Sequence, residues 1–142
     1  LMARVLVVED EPNIAAIINY KLRREGHLVT HAASGAEGRR LAGPWDLVLL
    51  DTSLPGEDAM ALLRELCALW PVAVMAESRD ETTPLLAPGL GAAAVVRKPF
   101  KPTLLARLVV EITAAAKGDA SHSVAAPASG LISPMVTPEV VR

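Results

Sequence analysis

The chain has 142 residues, of which 51% are hydrophobic and 21% are charged, and this size and composition suit one globular domain with its own core. The net charge is −2, Lys and Arg form no continuous stripe, and only one Phe and one Tyr are present. Direct nucleic-acid binding by this segment is therefore not expected. The single cysteine, Cys67, excludes an internal disulfide and a multi-cysteine metal site.

The N-terminal residues predict neither a secretory signal nor a membrane anchor. The chain enters an apolar run within its first few residues and lacks both a charged n-region and a cleavage site. No apolar stretch approaches the ~20 residues that are needed to cross a bilayer. We therefore expect a cytoplasmic protein that does not contact the membrane.

Five short apolar runs predict β-strands. The first, third and fourth runs are almost continuously apolar, as strands buried on both faces of a sheet are. The runs span residues 4–8, 27–32, 46–50, 72–76 and 93–96.

Helical patterns with apolar residues every three or four positions fill the intervals between these runs. The predicted helices span residues 12–25, 34–41, 58–69, 80–90 and 101–116. Gly26 is expected to stop the first helix, and Ser34 is expected to cap the second. Pro84 fits the first turn of the fourth helix, but Pro88 should end it, so we expect this helix to be short or distorted.

The alternation of five strands with five helices predicts an α/β fold with a doubly wound, five-stranded parallel sheet and helices on both faces. We assign residues 3–117 to this domain. Residues 118–142 are rich in Ser, Ala and Pro, which is typical of a tail or linker. In such a sheet, ligands bind outside the carboxyl ends of the strands, where the strand order switches direction.

Charged side chains follow several of the predicted strands at this edge. Glu9 and Asp10 follow the first strand, Asp51 ends the third, and Lys98 follows the fifth. Each residue alone has a structural explanation: the acids complement a helix dipole or cap a loop, and the lysine is a solvated charge. Together, three carboxylates offer the hard oxygen ligands that Mg²⁺ prefers, and a lysine can hold an anionic group.

Three motifs in this order, "VLVVEDEP", "DLVLLDTSLPGED" and "VVRKPF", resemble the receiver domain of two-component response regulators. The resemblance covers roughly residues 4–117 and implies the flavodoxin-like receiver fold. It also implies that Asp51 accepts a phosphoryl group from a histidine kinase or phosphotransfer protein.

The resemblance also implies roles for the residues around Asp51. Asp10 would bind Mg²⁺ directly, Glu9 would act through a water molecule, and Ser53 would offer its backbone carbonyl to the metal. Lys98 would pair with Asp51 and then with the phosphoryl oxygens, and the bond between Lys98 and Pro99 would be cis. The domain would be a signalling phosphoacceptor and no enzyme, beyond slow loss of its own phosphoryl group.

The chain departs from the family pattern at two switch positions. Relatives carry Thr or Ser where this chain has Ala76, and Tyr or Phe where it has Val95. Ser78, two residues beyond Ala76, is a candidate replacement for the missing hydroxyl. The acids that pair across a dimer interface in many relatives are absent from the segment "GAAAV" at residues 91–95. We therefore expect the phosphorylation chemistry to be intact and the response of the output surface to phosphorylation to be altered. The pattern does not decide whether the domain forms a homodimer, or whether it acts on an effector domain or on a partner protein.

Two other functions compete with this interpretation. The first is an atypical receiver that acts as a phosphorylation-independent interaction module. The second is a phosphohydrolase of the haloacid-dehalogenase type, which also uses an aspartate at a strand end. Those enzymes need a second aspartate two residues further on, where this chain has Ser53.

Overall fold

The computed structural model describes residues 2–122, with side chains described as far as Ala116. Its five strands form one parallel sheet in the order β2-β1-β3-β4-β5. The strands are β1 (Arg4–Val8), β2 (Leu28–Ala32), β3 (Leu47–Asp51), β4 (Val72–Ala76) and β5 (Ala94–Arg97). The predicted doubly wound sheet is confirmed, and its strand order switches direction between β1 and β3.

Four of the five α-helices in the described part of the chain connect successive strands, and the fifth follows β5. The helices are α1 (Pro12–Arg24), α2 (Gly35–Arg40), α3 (Ala59–Cys67), α4 (Thr82–Leu86) and α5 (Pro102–His122). The helix α4 is only five residues long, and a 3₁₀ turn at Pro88–Leu90 follows it. The expected short helix is therefore present, because proline at position 88 cannot continue an α-helix. Between residues 2 and 122, no helix combines the length and the apolar character needed to cross a membrane.

The core has two layers because successive side chains of a buried strand point to opposite faces of the sheet. Val5 and Val7 of β1 pack with residues of α1 and α5. Leu6 and Val8 of the same strand pack in a second cluster with residues of α3. The strands β3 and β4 are buried along their whole length, which explains their continuous apolar sequences.

The ends of the first two helices agree with the predicted signals. Gly26 follows α1 with a φ of 95°, a conformation that glycine adopts without the steric cost of a Cβ atom. The Ser34 side chain accepts a hydrogen bond from the Glu37 backbone N–H and so caps α2. Gly26 therefore marks where α1 ends, and Ser34 marks where α2 begins.

The last helix is longer than the sequence pattern predicted. It begins at Pro102 and continues to His122, whereas the prediction ended it at residue 116. Residues 118–122, which the sequence pattern places in the tail, are thus helical. The alanines at 114–116 explain the difference, because their high helix propensity extends a helix beyond its last apolar contact. The rest of the predicted tail, residues 123–142, lies outside the described residues.

Replacement of the helix cap provides a test of this local structure. We expect Ser34→Ala to lower the free energy of unfolding by about 1 kcal/mol, because the Glu37 N–H loses its acceptor. Ser34→Asp keeps an acceptor at the same position and should stay close to wild type. Urea unfolding followed by far-UV circular dichroism measures both, and equal losses in the two variants would contradict a capping role.

Candidate functional site

The carboxyl ends of β1, β3, β4 and β5 bring the predicted residues together. Carboxylate oxygens of Glu9, Asp10 and Asp51 lie within 4.8 Å of one another. Glu9 and Asp51 are almost fully buried, whereas Asp10 is exposed at the rim. Residues from the loop after β1 and from the end of β3 therefore meet in one acidic cluster, as the topology requires.

Lys98 supplies the positive charge at the centre of this cluster. Its Nζ lies 3.1 Å from Glu9 Oε1 and 3.2 Å from Asp51 Oδ1. Only 8% of Lys98 is exposed, so its ammonium and the two carboxylates have lost most of their hydration. Buried charges are tolerated when they are paired, and here each ion compensates the desolvation of the others. The bond between Lys98 and Pro99 is cis, as the resemblance implied.

The two oxygens of Asp51 have different environments. Oδ1 accepts hydrogen bonds from the Ser53 backbone N–H at 3.0 Å and from the Ser53 hydroxyl at 2.8 Å, and it also faces Lys98. Oδ2 is buried and accepts no hydrogen bond from any residue in the described part of the chain. One oxygen is thus held in place, while the other has free lone pairs for a cation or an electrophile.

Glu9 is held by contacts on both its main chain and its side chain. Its backbone N–H donates to the Ala32 carbonyl at 3.0 Å, and its Oε2 accepts from the Glu11 N–H at 3.1 Å. The Nε2 atom of His31 on β2 lies 2.7 Å from the Glu9 carbonyl oxygen. The neighbouring strand therefore fixes the loop that presents Glu9 and Asp10.

Crowding of the carboxylates shifts their pKa values in different directions. Burial, and then the charge of Asp51, raise the pKa of Glu9 to about 7. Burial also opposes ionisation of Asp51, but the hydrogen bonds from Ser53 and the charge of Lys98 bring its net pKa below the usual value. The pKa of Lys98 is raised despite its burial, because Asp51 and Glu9 favour its charged form. The cluster therefore has more acidic groups than its one lysine can neutralise.

The residues of this cluster fit a divalent metal ion. The free Oδ2 of Asp51 lies in a group of three clustered carboxylates, and carboxylate oxygens are hard ligands of the kind that Mg²⁺ takes. The roles predicted for Asp10 and for the Ser53 carbonyl remain predictions. For Ser53, the structure adds a contact that sequence reasoning missed, because its N–H and hydroxyl both bind Asp51.

Two further residues at this edge make contacts that the sequence pattern did not predict. Glu77 follows β4, and its Oε2 lies 3.8 Å from Lys98 Nζ and 3.3 Å from the Ser53 hydroxyl. Arg97 of β5 donates from Nη1 to the backbone carbonyls of Ser78 at 3.0 Å and Asp80 at 3.3 Å. Because Glu77 directly follows β4, the sequence places it at the carboxyl edge of the sheet. The contacts that Glu77 and Arg97 make there do not follow from residue spacing.

The predicted switch positions lie beside these residues. Ala76 is fully buried at the end of β4, and Val95 is half-buried and packs against the α3 side of the core. Asp80 holds the end of the loop between β4 and α4 that lies next to the helix. Its Oδ1 accepts hydrogen bonds from the backbone N–H groups of Thr82 and Thr83. Arg97 and Asp80 therefore fix the loop between β4 and α4.

A family model described as the response regulator receiver domain matches residues 5–110. The chain therefore belongs to the receiver domain family of two-component response regulators. It is 33% identical over 128 residues to the uncharacterized transcriptional regulatory protein YcbL of Bacillus subtilis, an alignment that covers 87% of this chain and 55% of YcbL. It is also 33% identical over 104 residues to the alkaline phosphatase synthesis transcriptional regulatory protein PhoP of the same organism, covering 70% of this chain and 43% of PhoP.

A solved structure agrees with this assignment. The receiver domain protein from Clostridium thermocellum superposes with a TM-score of 0.75 at 28% identity, covering 81% of this chain and 97% of that one. The chain spans about half the length of YcbL and PhoP. The similarity therefore concerns the receiver portion of those regulators, and receiver domains generally bind Mg²⁺ at such an acidic pocket.

The raised pKa of Glu9 predicts a pH dependence of stability in the metal-free protein. Because the folded-state pKa of about 7 lies above the ordinary value of 4.5, its contribution to stability is present below pH 4.5 and is lost as the pH rises to 7. In EDTA, we expect the free energy of unfolding of Glu9→Gln to rise relative to that of wild type by up to about 3 kcal/mol as the pH increases from 5 to 8.

Urea unfolding at several pH values in this window measures the difference between the two proteins. The variant is the appropriate comparison because shifted groups outside this cluster, such as His27, contribute equally to both curves. Parallel curves for wild type and Glu9→Gln would show that Glu9 ionises normally in the folded protein.

Proposed function

We propose that this receiver domain accepts a phosphoryl group on Asp51 from the phosphohistidine of a kinase or phosphotransfer protein. The observation that best supports the proposal is the asymmetry of the Asp51 carboxylate. Its Oδ1 is held by Ser53 and Lys98, while its buried Oδ2 accepts no hydrogen bond from the described residues. A nucleophile needs a fixed position and an available lone pair, and this arrangement provides both.

In the proposed step, Asp51 Oδ2 forms a bond to phosphorus as the bond from phosphorus to the histidine nitrogen breaks. The imidazole keeps the bonding electrons and takes a proton from solvent. Phosphoryl transfer needs positioning and positive charge more than covalent help from the protein. Ser53 orients the acceptor through Oδ1, and the Lys98 ammonium lies close enough to contact the incoming phosphoryl oxygens.

Glu9, Asp10 and Asp51 are the residues that would hold Mg²⁺, with Asp10 as the direct ligand, Glu9 acting through water and Ser53 contributing its backbone carbonyl. When bound, Mg²⁺ would supply the positive charge that a phosphoryl group requires beside three carboxylates. Burial first, and then the neighbouring Asp51 carboxylate, raise the pKa values of Glu9 and Asp10. This protein chemistry supports the proposed cation without specifying its geometry.

The proposal assigns the domain a signalling role without turnover of a separate substrate. Its output would pass to an attached effector domain or a partner protein, since its curated relatives are transcriptional regulatory proteins. The proposal keeps the predicted cytoplasmic location and leaves a homodimer possible. The phosphorylation-independent interaction module is not favoured, because Asp10, Asp51 and Lys98 are all retained and come together.

Phosphorylation in vitro tests the proposed acceptor. Wild type incubated with a small phosphoryl donor and Mg²⁺ should gain one phosphoryl group, located to Asp51 by peptide mass spectrometry. We expect Asp51→Asn to abolish the gain and Lys98→Ala to reduce it at least about tenfold, since Lys98 is the nearest cation. Modification that persists in Asp51→Asn, or that is unchanged in EDTA, would contradict the proposal.

The substitutions at the switch positions predict a local response to phosphorylation. Ala76 has no hydroxyl to bind a phosphoryl oxygen, a contact worth roughly 1.5–3 kcal/mol, which is the size of a typical allosteric coupling. Arg97 also holds the loop after β4 through two carbonyls. We therefore expect beryllium fluoride to change amide chemical shifts near Asp51 and to leave β5 and α5 almost unchanged.

The comparison uses Ala76→Ser, which restores a hydroxyl with little added volume, and Arg97→Ala, which releases the loop. Shift changes should extend into β5 in a variant that combines both substitutions. Large changes across β5 and α5 in wild type would show that coupling runs by another route, for which Ser78 is the first candidate to substitute.

A further inference from the structure

Glu77 is a fourth carboxylate at the mouth of the site. Its side chain is 54% exposed, while Asp51 beneath it is only 1% exposed. Its Oε2 lies 3.3 Å from the Ser53 hydroxyl and 3.8 Å from Lys98 Nζ. These are the same two groups that hold Asp51 Oδ1, so Glu77 contacts the donors on which the acceptor depends.

The Ser53 hydroxyl connects the two carboxylates. It lies within hydrogen-bond distance of both Asp51 Oδ1 and Glu77 Oε2, but a hydroxyl has only one proton to donate. The Lys98 ammonium is likewise shared among several carboxylates, because it faces Glu9 and Asp51 as well as Glu77. The contacts thus keep the Glu77 charge close to Asp51, on the solvent-exposed side of the cluster.

A negative charge at the mouth of the site acts differently on donors of different charge. Repulsion grows with the charge that the donor brings, and it is strong over a few ångströms in a partly desolvated site. Acetyl phosphate is a dianion at neutral pH, whereas phosphoramidate has an ammonium-like nitrogen and one net negative charge. A phosphohistidine in a protein is likewise less anionic around its leaving group, because its imidazole is not an anion.

We infer that Glu77 is a specificity-determining residue that selects against strongly anionic small-molecule donors. The inference rests on the proposed function, since it concerns transfer to Asp51. The reaction is the same for each donor: the Asp51 Oδ2–P bond forms, and the bond from phosphorus to the leaving oxygen or nitrogen breaks. The leaving group keeps the electron pair, as acetate from acetyl phosphate and as ammonia from phosphoramidate, whose nitrogen is already protonated. Glu77 changes how readily the donor reaches Asp51 and takes no part in the bonds.

The test compares the initial rates of Asp51 phosphorylation by acetyl phosphate and by phosphoramidate at one Mg²⁺ concentration. We expect Glu77→Gln to raise the acetyl phosphate rate ~5-fold or more and the phosphoramidate rate ~2-fold or less at low salt. Glu77→Asp keeps the charge and should retain the wild-type ratio of the two rates. The difference between Glu77→Gln and wild type should shrink as NaCl is raised, because salt screens an exposed charge.

Glu81→Gln is the matched control, because Glu81 is an exposed acid in the same loop and has no ion pair with Lys98 among the described residues. It should leave both rates and their ratio unchanged. Equal acceleration of both donors in Glu77→Gln, or an equal effect of Glu81→Gln, would overturn the inference while the proposed function stands. Absence of Asp51 labelling by either donor in wild type and in Glu77→Gln would overturn both.

Discussion

The ion pairs of Lys98 are the interaction on which the site depends. Glu9 and Asp51 are buried acids from different loops, and without a cation between them one carboxylate would be forced to remain protonated. Lys98 also loses its hydration, so its burial is tolerable only because two carboxylates face it. The result is a pre-formed site in which the pKa of Asp51 is lowered and its carboxylate stays ionised, as the proposed phosphoacceptor role requires. The cluster still has surplus negative charge, and a divalent cation fits that surplus.

The parallel register of the sheet brings these ions together. In β1 and β3, Val8 pairs with Leu50, so the acids that follow β1 lie beside Asp51 at the end of β3. In β4 and β5, Ala76 pairs with Arg97, so Lys98 emerges next to Glu77. A slip of one residue in any of these pairs would move each side chain to the opposite face of the sheet. In β3 such a slip would carry the buried Asp51 carboxylate away from Lys98 and leave both charges without their partner, which is strongly unfavourable.

The parts of this architecture that depend on periodicity could be predicted from sequence, and the parts that depend on side-chain conformation could not. The five strands, the cap at Ser34 and the grouping of Glu9, Asp10 and Asp51 all follow from local patterns and parallel topology. The end of α5 was predicted too early, because alanine propensity continues a helix without an apolar signal. The contacts of Glu77 and Arg97 depend on how a loop folds over the sheet edge, which spacing does not encode.

The departures from the family pattern lie at the positions expected to transmit a signal, and the charged groups around Asp51 are unaffected. The groups that surround Asp51 come from the ends of β1, β3 and β5 and are complete. The chain differs at Ala76, which ends β4 and offers no hydroxyl, and at Val95 of β5, while Arg97 holds two carbonyls of the loop after β4. An allosteric signal requires an element with two arrangements whose balance the ligand changes. Hydrogen bonds that already fix this loop favour one arrangement, so under the proposed function a partner would detect the charge at Asp51 itself or recognise a loop already in place.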